Sequence, residues 1–237
     1  DKWVKAINDE YNSLMEQNTW DLVLLPPGRK LVGSRWLFRI KTNGRYKPRF
    51  VAQGLSQIPG VDYFATFAPV ARMNSVRLLL SLAADYNWDL VHLDVKTAFL
   101  QSELNEEIYV RQPRGFEKHS PSGAPYACVF ARSLYGLCQS PASWFSTIHQ
   151  FLLDIELKFC LADPCVYVKG SGTVILVLYV DDIIISGASS DAINKVKEKL
   201  MTKFDLSYSG DVTTFIGMDI VRDRVEITLS RASQLAG

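Results

Sequence analysis

"VILVLYVDDIIISG", residues 174–187, places two adjacent aspartates inside an otherwise apolar stretch. Seven apolar residues precede Asp181 and Asp182, and three isoleucines follow them. Two like charges are not left inside an apolar core without a partner. The pattern therefore predicts two antiparallel strands joined by a short hairpin, with both aspartates at its tip.

The aspartate pair alone is also typical of an ordinary turn. However, this turn contains no glycine, and Tyr179 and Val180 make its approach apolar, so the two charges repel unless a cation joins them. Asp94, in "LVHLDVKTAFL" (90–100), is a third carboxylate on an apolar strand. If these strands share a sheet, the three carboxylates converge at one edge.

Three converging carboxylates are a ligand set for hard cations, above all Mg²⁺. Two such ions about 4 Å apart clamp the attacking and leaving oxygens of a phosphoryl displacement. Polymerases and some nucleases share this chemistry, and the spacing of the carboxylates leaves both classes open.

The composition is that of an ordinary globular protein: 237 residues, 48% hydrophobic, 22% charged, with a net charge of +1. No acidic residue lies between Asp21 and Asp62. That interval contains eight cations: Arg29, Lys30, Arg35, Arg39, Lys41, Arg45, Lys47 and Arg49. Such a stretch is typical of phosphate contacts, and also of a solvated face with acids nearby in space.

The four cysteines and three histidines lack zinc-ligand spacing, so we expect the cysteines to be small core residues in a reducing compartment. No apolar run reaches the roughly 20 residues needed to span a bilayer, and no membrane partner is predicted. The sequence begins at Asp1 and not at Met, which predicts a fragment of a longer protein.

The periodicity predicts four helices, an early hairpin, a central strand and a late hairpin. The expected helices cover 1–20, 74–87 with Asn74 as N-cap, 140–155 and 189–204, the last with Ala192, Val196 and Leu200 on one face. Hairpins are expected over 30–54, around Asn43-Gly44, and over 213–230, and a strand over 88–95. This irregular alternation favours an α+β fold.

Seven motifs occur in order along nearly the whole chain. They are "RYKPRFVAQG" (45–54), "DYFATFAPV" (62–70), "LDVKTAFL" (93–100), "QPRGFE" (112–117), "SLYGLCQSPASWF" (133–145), "YVDD" (179–182) and "FIGMDI" (215–220). Together they resemble the reverse transcriptase of Ty1/copia-type retrotransposon Pol polyproteins.

The resemblance implies an RNA-directed DNA polymerase with a right-hand core. Its palm would be an antiparallel ferredoxin-like sheet backed by helices. Fingers are expected over about 1–68 and 104–138, the palm over about 69–103 and 139–222, and the approach to a missing thumb over 223–237. RNase H and integrase would be other segments of the parent polyprotein.

The resemblance also implies a metal site. Asp94, Asp181 and Asp182 match the family's metal-binding carboxylates, with Asp94 and Asp181 as main ligands and the Val95 carbonyl completing the shell. The expected cofactor is a pair of Mg²⁺ ions, with Mn²⁺ as an alternative. Phe99 matches the aromatic gate that excludes a 2′-hydroxyl, whereas its own apolar character indicates a core residue.

Further site residues follow from the same motifs. Lys47 and Arg49 match residues that contact the incoming triphosphate, and Tyr135, Gly136 and Tyr179 complete the expected dNTP site. The implied primer grip consists of Phe215, Gly217 and Met218.

The implied partners are an RNA or DNA template with its primer, and dNTPs. The implied location is a cytoplasmic virus-like particle, with nuclear delivery of the product. An RNA-dependent RNA polymerase shares the palm carboxylates, but it generally places a polar residue where Phe99 stands.

Three positions depart from the family pattern: Cys138 replaces a lysine, Ala142 an arginine and Pro48 a small residue. Two of these changes remove charge from segments that face nucleic acid. They leave open a decayed or domesticated copy, which would bind nucleic acid or a protein partner without catalysis.

Overall fold

A computed structural model describes residues 2–41, 44–208, 210, 212, 214–216, 218–222 and 227–231. The helices in this part of the chain are α1 (Lys2–Glu16), α2 (Met73–Asp85), α3 (Ser140–Asp154) and α4 (Ser190–Lys203). No helix among these residues combines the length and the apolar character needed to cross a membrane.

The strands are β1 (Trp20–Leu24), β2 (Ser34–Ile40), β3 (Tyr46–Ala52), β4 (Leu90–Val95), β5 (Tyr109–Arg111), β6 (Tyr126–Phe130), β7 (Lys158–Phe159), β8 (Val166–Lys169), β9 (Val174–Tyr179), β10 (Asp182–Ser186), β11 (Leu206–Tyr208), β12 (Thr214–Phe215), β13 (Met218–Arg222) and β14 (Ile227–Arg231). Their ladders are antiparallel, and helices are interspersed between them. The predicted α+β class is confirmed.

The chain divides into two compact units, each built from separate stretches of sequence. Unit 1 contains residues 1–68 and 99–144, and unit 2 contains residues 69–98 and 145–237. That these two units correspond to the fingers and the palm stays a prediction.

Unit 1 consists of α1, the sheet β1-β6-β5 and the hairpin β2-β3. Its core is apolar and includes Leu14, Trp20, Phe50, Val110 and Phe130. In the hairpin, Trp36 faces Phe50 and Ile40 faces Tyr46. The predicted hairpin is confirmed, since its two arms pair along their length.

One predicted detail of unit 1 is wrong. The first helix ends at Glu16 and not at residue 20, because Asn18 takes a φ of 49° and Trp20 already pairs in β1. The arms of the hairpin are joined at its tip by the Lys41 N–H, which donates to the Arg45 carbonyl at 2.9 Å. The predicted tight turn at Asn43-Gly44 stays a prediction, because Asn43 lies outside the described residues.

Unit 2 contains a six-stranded sheet in the order β11-β4-β10-β9-β8-β7 and the smaller sheet β12-β13-β14. The isoleucines of β10, Ile183, Ile184 and Ile185, have no solvent-exposed surface, and neither does Leu93 of β4. The apolar runs that frame the aspartate pair are therefore the buried centre of this sheet, as their composition predicts.

Helix α2 is capped by a residue distant in sequence. Its N-cap is Arg72 and not the predicted Asn74. The buried carboxylate of Asp163 accepts hydrogen bonds from the Arg72 N–H at 2.9 Å and the Ser75 hydroxyl at 2.6 Å. A capping carboxylate is favourable there because the first turn of a helix leaves N–H groups without intrahelical partners.

Helix α4 matches its predicted range closely. The Ser189 hydroxyl caps it by accepting from the Ala192 N–H at 3.3 Å. Its buried face consists of Ile193, Val196 and Leu200. Ala192, predicted on this face, is only half-buried, because Ile193 takes the innermost position.

Candidate active site

The turn between β9 and β10 contains two residues, Val180 and Asp181, because Tyr179 pairs directly with Asp182. Val180 has a φ of 57°, and Asp181 has no positive φ. A positive φ at the first turn residue alone is the pattern of a type II′ turn, which normally places glycine there. Asp181 thus lies in the turn, while Asp182 is the first residue of β10.

A row of polar side chains crosses the sheet beside this turn. Strand β4 lies between β10 and β11, and Asp94 faces Asp182 on one side and Ser207 on the other. Residues directly opposite in an antiparallel ladder project on the same face. Ser207, Asp94, Asp182 and Tyr179 therefore share one face of the sheet.

The two facing carboxylates, Asp94 and Asp182, form a close cross-strand pair. The Val95 N–H donates to the Asp181 carbonyl at 2.8 Å, so residues 95 and 181 are a hydrogen-bonded pair. The neighbouring 94/182 pair is then of the non-hydrogen-bonded type, with Cα atoms about 4.5 Å apart. Like charges directly opposite each other destabilise a sheet unless they are compensated.

Two neighbouring side chains contact this carboxylate pair. The Ser207 Oγ lies 3.3 Å from Asp94 Oδ2, and the His92 Nε2 lies 2.9 Å from Asp182 Oδ1. Sequence reasoning treated His92 as one of three scattered histidines. The period of two along a strand was the available signal, since it places residue 92 on the same face as Asp94.

The donor set at this edge of the sheet fits a hard cation. Among the described residues, no three His, Cys, Asp or Glu side chains form a group that could hold a metal ion. Asp181 belongs to the turn, and its carbonyl accepts from the Val95 N–H. The predicted convergence of its carboxylate with those of Asp94 and Asp182 stays a prediction. A carboxylate pair that leaves other ligand positions to water and substrate phosphates is the usual mode of binding Mg²⁺.

The cysteines include core residues, as predicted. Cys128 and Cys165 are fully buried, and burial raises the pKa of each thiol to about 12. Both thiols are therefore neutral over the physiological pH range, which makes them inert packing groups and not nucleophiles.

Part of the predicted primer grip lies beside the carboxylate pair. Phe215 of β12 pairs with Met218 of β13, and its ring is buried. The Phe215 ring meets the His92 ring edge-on, with centroids 5.7 Å apart, and the Tyr179 ring at 6.5 Å. Gly217, the third predicted residue, lies outside the described residues.

Three of the predicted nucleotide-binding residues of unit 1 contact one another in series. The Arg49 guanidinium lies over the Tyr135 ring, 4.7 Å from its centroid. The Tyr135 ring in turn lies 4.6 Å from that of Phe99, in the short 3-10 helix Ala98–Gln101. Lys47 is two residues before Arg49 in β3 and so projects on the same side of the strand.

Glu10 of α1 is an acidic residue that interacts with this basic region, and the sequence alone did not indicate this. Burial raises the pKa of the Glu10 carboxyl, although Lys47 and Arg49 oppose this shift. Burial and the neighbouring Arg49 lower the pKa of the Lys47 ammonium, against the attraction of Glu10. The eight-cation stretch is thus compensated in part by an acid nearby in space, as its alternative interpretation predicts.

Gly136 is fixed by a close approach of two backbone segments. It has a φ of 92°, and a Cβ at this position would collide with the Ala52 carbonyl oxygen. The two segments are joined by hydrogen bonds from the Ala52 N–H to the Tyr135 carbonyl and from the Gly54 N–H to the Gly136 carbonyl, both 2.9 Å long. Glycine at 136 therefore has a structural requirement within unit 1.

The structure thus groups the predicted site residues by unit. Unit 2 brings together Asp94, Asp182 and Phe215, with Val95, Asp181 and Tyr179 as their backbone neighbours. Unit 1 brings together Arg49, Tyr135 and Phe99. Whether each residue has the role that the resemblance implies stays a prediction.

The fold is shared with a solved polymerase. The structure of a foamy viral protease-reverse transcriptase in complex with double-stranded DNA aligns with 97% of this chain and 35% of its own chain, with a TM-score of 0.52 and 16% identity. This similarity defines the class of fold, an α+β polymerase core.

A family model described as "Reverse transcriptase (RNA-dependent DNA polymerase)" matches residues 17–236, and the chain belongs to this family. The enzyme class predicted for the family, an RNA-directed DNA polymerase and so a nucleotidyltransferase, is confirmed.

Three relatives identify the branch of the family. The Pol polyprotein of transposon TNT 1-94 from Nicotiana tabacum is 40% identical over 93% of this chain, and that of transposon RE1 from Arabidopsis thaliana is 35% identical over 98%. A truncated Ty1-A Gag-Pol polyprotein from Saccharomyces cerevisiae is 29% identical over 86%. The chain covers 16–17% of the length of these relatives. The predicted resemblance to Ty1/copia-type Pol polyproteins is confirmed.

Proposed function

We propose that this chain is the core of an RNA-directed DNA polymerase that adds dNTPs to the 3′-hydroxyl of a primer. The 3′-oxygen attacks the α-phosphorus of the dNTP. A new P–O bond forms, the bond between the α-phosphorus and the β-phosphate breaks, pyrophosphate leaves, and the hydroxyl proton passes to solvent.

The observation that carries this proposal is the direct cross-strand pairing of Asp94 with Asp182 on one face of the sheet. The pair concentrates two negative charges on one face of the sheet, while the neighbouring residues Leu93 and Ile183 on the opposite face are buried. Relatives named as Pol polyproteins add support, because the carboxylate-bearing motifs fall within the aligned residues.

We propose that Asp94, Asp181, Asp182 and the Val95 carbonyl bind two Mg²⁺ ions, with Mn²⁺ as an alternative. The bound ions would supply charge stabilisation for the phosphoryl oxygens and activation of the primer hydroxyl. Ser207 and His92 orient the carboxylates through contacts of 3.3 Å to Asp94 and 2.9 Å to Asp182. Phe215 and Met218, with Gly217, are proposed to hold the primer end.

In unit 1, Lys47 and Arg49 are proposed to bind triphosphate, since cations stabilise charge on a leaving pyrophosphate. Tyr135, whose ring stacks beneath Arg49, and Phe99 offer flat aromatic surfaces to a nucleotide. Gly136 maintains the backbone approach that places Tyr135. Tyr179 is a further residue that the resemblance implies for dNTP binding.

The proposed partners are an RNA or DNA template with its primer, dNTPs, and the RNase H and integrase segments of a parent polyprotein. The solved foamy viral structure is a complex with double-stranded DNA, which supports a nucleic-acid duplex as ligand. A cytoplasmic virus-like particle, with nuclear delivery of the product, is the proposed location.

The test is Mg²⁺-dependent incorporation of dTTP on poly(rA)/oligo(dT). The double substitution Asp181→Asn, Asp182→Asn is expected to lower the rate by about 100-fold or more, because several kcal/mol of charge stabilisation are lost. A matched control, Asp85→Asn with Asp154→Asn, removes two exposed carboxylates from helix ends in the same unit. It is expected to leave the rate unchanged.

Equal incorporation by the wild type and the Asp181/Asp182 variant would refute the proposal. So would the absence of incorporation by the wild type.

A second candidate is a non-catalytic copy that binds nucleic acid or a protein partner. Cys138 favours it, because this position carries a lysine in the family, and here its N–H bonds Gln57 at 2.8 Å while its thiol contacts the Gly54 carbonyl. Template–primer binding without any Mg²⁺-dependent incorporation would support this candidate against the polymerase.

A further inference from the structure

His92 lies within hydrogen-bonding distance of the carboxylate pair although no metal-binding motif includes it. It is two residues before Asp94 in β4, and its Nε2 lies 2.9 Å from Asp182 Oδ1 on the neighbouring strand. An ionised carboxylate only accepts hydrogen bonds, so Nε2 carries the proton and donates it. The side chains are 14% and 28% exposed, so water competes little for this bond.

The His92 ring is held in place by packing. Phe215 meets it edge-on, with an interplanar angle of 86°, and the Phe215 side chain is only 2% exposed. Phe215 also contacts the Tyr179 ring, one residue before the turn. The direction of the Nε2–H bond is therefore set by buried contacts and not by an unrestrained rotamer.

We propose that His92 is a positioning residue that fixes the carboxylate of Asp182 beside Asp94. This inference rests on the proposed function, since it concerns how the same carboxylate pair receives a divalent cation. The Nε2–H group donates to one oxygen of Asp182, offsets part of the like-charge repulsion across the strands, and fixes the direction in which the other oxygen is presented to the cation.

A consequence is that the orientation of the Asp182 carboxylate depends on the packing of His92. Asp182 is bonded to a ring that is packed in turn against Phe215. Asp181 occupies the turn, where its carbonyl is bonded to Val95. Loss of the His92 donor is therefore expected to affect the cation affinity of the pair more than its fold.

The test compares two substitutions at residue 92. His92→Gln keeps an N–H donor near the position of Nε2, and His92→Leu removes the donor but keeps a side chain of similar bulk. The measurements are Mn²⁺ affinity, from the free-ion signal in electron paramagnetic resonance, the Mg²⁺ concentration needed for half-maximal dTTP incorporation, and the thermal unfolding midpoint.

His92→Leu is expected to weaken Mn²⁺ binding by about 10- to 100-fold, as for other groups that orient metal ligands, and to raise the Mg²⁺ requirement in parallel. His92→Gln is expected to restore most of the affinity. The matched control is His149→Leu, because His149 lies in the same unit and its Nδ1 bonds the Tyr167 hydroxyl at 2.7 Å. It is expected to lower the unfolding midpoint without changing the cation response.

Wild-type cation affinity in a folded His92→Leu variant would overturn the inference, and so would equal losses in His92→Leu and His149→Leu. If the wild type binds Mn²⁺ and the Asp181→Asn, Asp182→Asn variant does not, the proposed metal site stands whatever residue 92 does. If wild type and double variant bind equally weakly, the metal site itself is refuted, and the positioning role with it.

Discussion

Individual residues of this chain adopt conformations that only their surroundings explain. Val180 is β-branched, yet it takes the positive φ that a two-residue hairpin normally assigns to glycine. Backbone strain of this kind costs on the order of 1–3 kcal/mol and persists where the surrounding structure imposes it. Here the buried strands on both sides hold the turn, and the strained residue directly precedes the aspartate pair.

Gly136 offers a sharp test of a backbone requirement. Gly136→Ala is expected to lower the free energy of unfolding more than Gly115→Ala, by about 1–3 kcal/mol, because it adds a steric collision to the shared conformational cost. The two glycines have nearly equal φ values, 92° and 94°, but no atom lies within 4 Å of a Cβ built at residue 115. Urea unfolding of both variants measures the difference, and equal losses would contradict the role of the Ala52 carbonyl.

At the scale of single elements, α2 depends on a carboxylate outside the helix. Burial tends to raise the pKa of Asp163, but hydrogen bonds from Ser75, the Arg72 N–H and the Cys165 N–H outweigh it and hold the pKa below its usual value. The folded state therefore favours the ionised form, and this stabilisation is present above the carboxyl pKa of the unfolded chain.

Asp163→Asn is expected to lower the free energy of unfolding at pH 7 by about 0.5–2 kcal/mol, the usual range for a lost helix cap. The stabilisation by ionised Asp163 is lost as the pH falls through its lowered folded-state pKa. The difference in unfolding midpoint between wild type and variant should therefore shrink in acid. Thermal scans from pH 7 to pH 3 measure it, with Asp85→Asn as an exposed-carboxylate control. A difference that is independent of pH would contradict the ionic origin.

The helix ends mark the limit of what the sequence predicts about elements. The existence of all four helices and of the aspartate hairpin follows from apolar periodicity. The cap of α2 does not, because Asp163 lies 91 positions from Arg72. Asn74 is the N-cap candidate that the local sequence offers. The buried carboxylate of Asp163 accepts from two donors at the start of the helix, and it stabilises that end better than an exposed amide.

The site is likewise only partly readable from sequence. Asp94 and the aspartate pair follow from carboxylates on apolar strands, and their pairing follows from a shared sheet. The contact of His92 with Asp182 depends on the strand register, and the contact of Glu10 with the basic hairpin depends on how α1 packs. Neither the strand register nor the packing of the helix can be predicted from the local pattern of apolar and polar residues.

At the scale of the whole molecule, the net charge is small and the positive charge is concentrated in one part of the sequence. The net charge is only +1, while exposed Arg35 and Arg39 lie on alternate positions of β2 and so on one side of the hairpin. Long-range attraction of a nucleic acid by the overall field is therefore weak, and we expect binding to depend on which cations contact phosphate.

Arg35→Gln with Arg39→Gln is expected to reduce the slope of log Kd against log salt concentration by about 2, one per lost phosphate contact. The control, Lys195→Gln with Lys199→Gln on α4, changes the net charge equally, from +1 to −1. It should leave the slope unchanged. Fluorescence anisotropy of a labelled RNA/DNA hybrid between 50 and 200 mM KCl, an ordinary range for such titrations, measures both. Identical slopes for the two variants would show that net charge alone governs binding.

The strand order of the larger sheet has a consequence for the synthesis of the protein. Strand β4 lies between β10 and β11, yet His92 and Asp182 are 90 positions apart in the chain, and Asp94 and Ser207 are 113 apart. A ribosome that has completed β4 must therefore extend the chain through β10 before either edge of that strand finds its partner. Until then the nascent polypeptide presents an apolar strand with two open edges, the kind of segment to which other chains add. Chaperone capture of a stalled intermediate ending between α3 and β9 would be the cellular sign of this delay.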